Sequence, residues 1–310
     1  MSFASTCKDE LIRVRLKDSG VRKAQLAGLT LTTGGLRLGK TPSLFYTTEN
    51  LNVAKHIASL AGSLYEVDAI IERKEQEHRR TARYSVVLSG EGLMKLCEDT
   101  GALYSDEEGL HIFSLVSATN LNGEEQTRAF LRGCFLGSGS CVDPKRSYHL
   151  EILSRSEPIA MSLVEVLRSF YLKARRTKRK ERYVVYLKDG DDVTGFLALI
   201  GANVAAMDLE NVRVEKDMRN YINRTSNCET ANLDKQVVAS LKQQNAIRTI
   251  ERHMSINELP TGLKEAALLR VAHPNATLAE LAEMADIQKS GMNHRLTRLI
   301  RLAEELEGNG

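Results

Sequence analysis

The chain has 310 residues, 42% of them hydrophobic, and its 43 Lys and Arg against 40 Asp and Glu leave a formal charge of +3. That length fits two domains with real cores, and so small a net charge means that any basic surface must come from local clustering. No tryptophan and only 5% aromatic residues argue against a base-stacking platform for single strands.

The first residues, Met1-Ser2-Phe3-Ala4-Ser5-Thr6-Cys7-Lys8, hold no apolar segment behind a basic start, and no apolar run approaches membrane-spanning length. The expectation is a cytoplasmic protein with no membrane partner. Cys7, Cys97, Cys134, Cys141 and Cys228 are odd in number, scattered and never spaced C-x-x-C. They read as small buried hydrophobes rather than a disulfide framework or a structural zinc site, and neither metal nor cofactor is expected.

From about residue 21 an internal repeat organises the chain. Lys23 to Gly35 aligns with Arg128 to Ser140 so that Ala24, Leu26, Gly28, Leu31 and Gly34 meet Ala129, Leu131, Gly133, Leu136 and Gly139. In each copy there follow a strand pair (around Ser43 to Thr47; Tyr148 to Leu153) and an amphipathic helix (Leu51 to Gly62; Glu157 to Leu172). Next come a strand (Arg83 to Leu88; Arg182 to Leu187) and a helix ending in Gly-Ala (Gly101-Ala102; Gly201-Ala202). The pattern predicts an α+β domain over 1–212 with antiparallel sheets, its repeats at about 21–110 and 126–212. Gly34-Gly35 and Gly137-Ser138-Gly139 lack the Lys-Ser/Thr of a phosphate loop and read as turns ending the helices. His56, His111 and His149 have no partner at ligand spacing and read as packing residues.

Lys173, Arg175, Arg176, Lys178, Arg179, Lys180 and Arg182 predict a basic loop in the second repeat, with Glu181 the sole acid among them. In the first repeat Arg73, Lys74, Arg79, Arg80 and Arg83 take the equivalent place, diluted by Glu72, Glu75 and Glu77. Cations on flexible hairpins bind phosphate without reading sequence, so Arg175, Arg176, Lys178, Arg179 and Lys180 are candidate DNA phosphate contacts. A solvated charged turn or a surface for an acidic partner are the alternatives.

After about Val212 the polar run through Asn232 has little apolar periodicity and predicts a linker, followed by a long helix from Leu233 to His253, together filling 213–258. Residues 259–310 predict an all-helical domain. A helix from Leu263 to His273 is stopped by Pro274. Thr277 and Glu280 form a capping box on a short helix ending near Ala285, and Asp286 to Lys289 makes a tight turn. Ser290 caps a third helix with Met292, Leu296, Leu299, Ala303 and Leu306 on one stripe. Its opposite face suits the major groove: Lys289, Ser290, Asn293, His294 and Arg298 are candidate base contacts, with Thr297 and Arg301 on phosphate. Short helix, tight turn and long polar-faced helix form a helix-turn-helix signature; a protein-docking module with a solvated polar face is the alternative.

The repeats resemble the LAGLIDADG motif of homing endonucleases. Together with Asp143-Pro144-Lys145-Arg146, Asn227-Cys228-Glu229-Thr230-Ala231-Asn232 and Ser290-Gly291-Met292-Asn293-His294-Arg295, nearly the whole chain resembles the WhiA family of Gram-positive bacteria. The resemblance implies two motif helices packed through small residues, a pseudo-two-fold pair of saddle sheets laid along double-stranded DNA, and an acid near the end of each motif binding catalytic metals. Here Thr33 and Ser138 stand at those acid positions, and Leu31 and Leu136 replace the preceding acid. Neither hydroxyl holds a divalent cation as a carboxylate does, so no catalytic residues and no enzyme activity are expected; Asp143 reads as a turn cap before Pro144.

The resemblance further implies a sequence-specific DNA-binding transcriptional regulator acting in sporulation or in cell division and chromosome segregation, located at the nucleoid. A small iron–sulfur regulator and RNA polymerase are the implied protein partners. A chromosome-associated structural protein without transcriptional control and a metal-dependent nuclease are the competing functions.

Overall fold

Small residues let two helices cross with their backbones in direct contact, and the N-terminal half of the chain is built outward from that crossing. The computed structural model describes residues 2–74, 82–107, 109–113 and 121–308, and its contacts divide the chain into two units, Met1–Lys216 and Asp217–Gly310.

In the first unit, α1 (Phe3–Leu11) precedes the repeats. The first repeat runs α2 (Ser19–Thr33), β1 (Gly34–Arg37), β2 (Ser43–Thr48), α3 (Leu51–Leu64), β3 (Asp68–Lys74), β4 (Arg83–Ser89) and α4 (Leu93–Asp99). A hairpin without counterpart, β5 (Leu103–Asp106) and β6 (Gly109–Ile112), follows. The second runs α5 (Glu124–Ser138), β7 (Gly139–Cys141), β8 (Leu150–Ser154), α6 (Glu157–Ser169), β9 (Arg175–Arg179), β10 (Arg182–Leu187) and α7 (Gly190–Ile200). Each repeat forms one antiparallel sheet of equivalent order, β1-β2-β4-β3 and β7-β8-β10-β9. This is the LAGLIDADG-like α+β fold.

The central helices α2 and α5 are buried on every side over 24–32 and 129–136, with Leu26, Leu29, Leu31, Leu131, Phe135 and Leu136 fully enclosed, which places these stretches in the core. Strand alternation lays one face of each sheet on them, through Leu44, Tyr46, Val86 and Leu88 in the first and Leu150, Ile152, Val185 and Leu187 in the second. Gly34 and Gly139 are extended, with φ −60° and −69°, so each motif helix passes straight into a strand and the expected glycine turns are absent. Glycine is required here for close packing rather than for a turn: a Cβ on Gly35 or Gly139 would overlap the rings of Phe45 or Phe135. Cys7, Cys97, Cys134 and Cys141 are buried thiols; the Cys228 side chain lies outside the described residues.

The expected linker is helical. One helix, α8, runs from Asn203 to His253. Its polar middle lacks a buried stripe, which is why periodicity misses it, yet Asn203 to Leu259 contains neither Gly nor Pro and both ends are anchored. Ala205, Ala206 and Leu209 join the first core, and Ala246, Ile247 and Ile250 the second. The second unit continues with α9 (Thr261–Ala272), α10 (Leu278–Met284) and α11 (Lys289–Gly308) around Leu263, Ala266, Leu281, Met292, Leu296 and Leu299.

Candidate nucleic-acid interface

The α9–α10 connection is held from both sides. Arg270, 3% exposed, donates through Nη1 to the Ala276 carbonyl at 2.8 Å, and Ser240 donates to the Pro274 carbonyl at 2.5 Å. The capping box on α10 is formed, with Thr277 N–H donating to Glu280 at 2.7 Å and Glu280 N–H to Thr277 at 3.2 Å. The bond from Thr277 N–H holds the Glu280 carboxyl below its ordinary range. Asp286 takes φ +48° in the turn, and Ile287 N–H closes it on the Ala282 carbonyl at 3.0 Å.

The turn delivers α11 with Met292, Leu296, Leu299 and Ala303 buried and Lys289, Ser290, Asn293, His294, Thr297, Arg298 and Arg301 exposed. Ser290 does not cap the helix, because the first turn already begins at Lys289 with Met292 N–H bonded to the Gln288 carbonyl. His294, Thr297, Arg298 and Arg301 line a groove of about 520 Å³ with Pro260, Leu263, Leu302 and Glu305; Lys289, Ser290 and Asn293 lie outside it. Arg295 differs from its neighbours in being tied to Glu265 at 2.7 Å, which fits it for holding α11 on α9.

The basic loop is a strand pair. Arg175–Arg179 forms β9, and Lys180-Glu181, with Lys180 at φ +55°, turns it into β10. Alternation therefore splits the cations between two faces. Arg176 and Lys178 pair with Val185 and Tyr183 on the helix side, where Arg176 meets Glu157 at 2.5 Å and Lys178 lies 5.7 Å from the Tyr183 ring. Arg175 and Arg179, opposite Tyr186 and Arg182, occupy the open face. There Arg179 bonds Glu151 at 3.0 Å. His149 also bonds Glu151, at 2.7 Å, so His149 belongs to a polar trio rather than to packing. Burial raises the Glu151 pKa, but the bonds from His149 and Arg179 outweigh it and hold the carboxyl low. In the first repeat Arg79 and Arg80 lie outside the described residues.

Thr33 and Ser138 sit at the ends of α2 and α5, where both spend their hydroxyl protons on backbone: Thr33 on the Leu29 carbonyl at 3.0 Å and Ser138 on the Leu153 carbonyl at 2.6 Å. They line one cavity of about 650 Å³ between the repeats. Its charged walls are Lys8, Arg83, Arg155, Arg182, Glu49 and Glu181. Among the described residues no group of three His, Cys, Asp or Glu side chains could hold a metal, and the cationic wall fits a divalent ion poorly. Asp143 accepts from Lys145 N–H at 2.9 Å, capping the turn.

The WhiA N-terminal LAGLIDADG-like domain matches residues 19–103, the WhiA LAGLIDADG-like domain 127–219 and the WhiA C-terminal HTH domain 222–303. The chain is 38% identical, over 99% of its own length and 99% of the relative's, to the probable cell division protein WhiA of Alkaliphilus metalliredigens. It belongs to the WhiA family. A second WhiA relative, from Exiguobacterium sibiricum, is 39% identical over 99% of this chain and 97% of that one. The crystal structure of full-length DUF199/WhiA from Thermotoga maritima superposes with a TM-score of 0.63 at 21% identity, covering 98% of this chain and 99% of the other, and has the same fold. In this WhiA chain, sequence reasoning passed over Lys8 and Arg155. No local motif marks them; they reach the cavity from α1 and from the end of β8 only because the repeats close around it.

Proposed function

We propose that this WhiA-family protein is a sequence-specific DNA-binding transcriptional regulator whose last helix, α11, reads the major groove. The observation that carries the reading is that Lys289, Ser290, Asn293, His294, Thr297, Arg298 and Arg301 are all exposed on α11; the first four and Arg298 are read as base contacts, Thr297 and Arg301 as phosphate contacts. Among the described residues none of these polar groups is spent on an intramolecular hydrogen bond or ion pair, whereas Arg295 on the same helix is. Asn pairs with adenine and Arg with guanine bidentately. The relatives' name, probable cell division protein, supports a role in cell division; sporulation, chromosome segregation and the nucleoid as the place of action rest on the family resemblance. Partnership with a small iron–sulfur regulator or RNA polymerase rests on the family resemblance alone.

The same reading makes the repeat unit a non-cleaving one, because its motif ends carry Thr33 and Ser138 among cations. Selection of preferred duplexes by wild type and by Asn293→Ala, His294→Ala and Arg298→Ala tests the proposal. Each substitution should relax preference at its own base position by about 1–3 kcal/mol while leaving random duplex nearly unaffected. Leu296→Asp, which buries an unpaired charge, serves as the unfolded control. Identical preferences in all four folded proteins would assign α11 to protein docking instead.

A further inference from the structure

At the cavity between the repeats the chain has reversed the electrostatics that a metal centre requires. Lys8 from α1, Arg83 at the start of β4, Arg155 just past β8 and Arg182 at the start of β10 converge on it, against Glu49 and Glu181. The ends of α2 and α5 add roughly half a negative charge each, which still leaves the lining positive. Among the described residues no carboxylate forms an ion pair with Arg83, Arg155 or Arg182. Arg155 instead stacks 4.1 Å from the Phe113 ring, and partial burial together with the neighbouring Arg182 disfavours its charge. Burial likewise pushes Lys8 down to about 8 against the pull of Glu49. Cations that outnumber the carboxylates lining a pocket repel one another, and an anion relieves that cost. Guanidiniums from both repeats supply forked donors suited to phosphate oxygens.

We propose that this cavity binds a phosphate group directly, without a metal ion, through Arg83, Arg155, Arg182 and Lys8. The phosphate comes either from a nucleic-acid backbone or from a free phosphorylated small molecule. The site belongs to the repeat unit, so its failure would leave the reading of α11 untouched.

Pyrophosphate is the probe, titrated calorimetrically into the full chain with EDTA present throughout. Wild type should bind it, and Arg155→Gln should weaken binding about tenfold, the loss of one charge-assisted contact. Arg83→Gln, from the other repeat, should weaken it similarly, and unchanged thermal melting would show that each variant is folded. A short random duplex distinguishes the sources. Displacement of pyrophosphate by the duplex identifies a backbone phosphate, and independent binding of the two identifies a small phosphorylated ligand; both outcomes support the site. Absence of pyrophosphate binding to wild type, or equal binding by wild type and both folded variants, would overturn it.

Discussion

Gly28 and Gly133 face one another where α2 and α5 cross. A Cβ on Gly28 would overlap the Phe130 carbonyl oxygen and fall 3.1 Å from the Gly133 carbonyl carbon, and a Cβ on Gly133 would overlap the Gln25 carbonyl oxygen. The opposing groups are backbone, so no rotamer change relieves the clash. The crossing is also where the two repeats share their core, which makes these glycines the joint of the unit.

Gly28→Ala and Gly133→Ala should each therefore cost about 3 kcal/mol, the upper part of the range for overpacking. Urea unfolding is the measurement. Wild-type midpoints in both variants would mean that the two helix backbones are not in contact at this crossing.

No strand scission is expected from the full chain with magnesium or manganese on any duplex it binds. Thr33 and Ser138 already donate to the Leu29 and Leu153 carbonyls, and hydroxyls are poor substitutes for carboxylates as ligands of such ions. Metal-dependent nicking that disappears when Thr33 and Ser138 are both changed to Val would restore a nuclease.

Alternation along β9 separates its cations by face, and binding should follow the faces. Arg175→Ala with Arg179→Ala should weaken specific and random duplexes alike and lower the salt slope by roughly 0.9 per lost contact. Arg176→Ala with Lys178→Ala should change it far less, because both lie on the helix side. Equal effects from the two pairs would place DNA elsewhere than on the open face.

Asp99 gathers Lys23 at 2.7 Å, Lys95 at 2.8 Å and Tyr65 at 3.0 Å. Burial raises its pKa, but these bonds outweigh that and hold it below the ordinary value. A carboxyl depressed in the folded state contributes stability that is complete above its unfolded pKa of about 3.9 and is lost as pH falls through the lower folded value. Asp99→Asn should thus be less stable than wild type near neutrality and lose less on acidification. Unfolding midpoints at about pH 7 and about pH 3 check this; parallel losses in the two proteins would refute it.

Local pattern determined much of this protein. The recurrence of Ala, Leu, Gly, Leu and Gly at fixed spacing, the Thr277–Glu280 cap and the Met292, Leu296, Leu299 stripe each encode a short-range event: a close helix approach, a helix start or a buried face. They are legible because helical period and backbone hydrogen bonding act over a few residues. Tertiary structure decided the rest. The middle of α8 carries no stripe of its own and is helical between two anchored ends. The charge run at 175–182 became two surfaces once β10 paired with β9. Lys8, Arg83, Arg155 and Arg182, spread along most of the first unit, share one cavity only because the two repeats close around α2 and α5, and Coulomb interactions depend on distance in space, which spacing along the chain does not report.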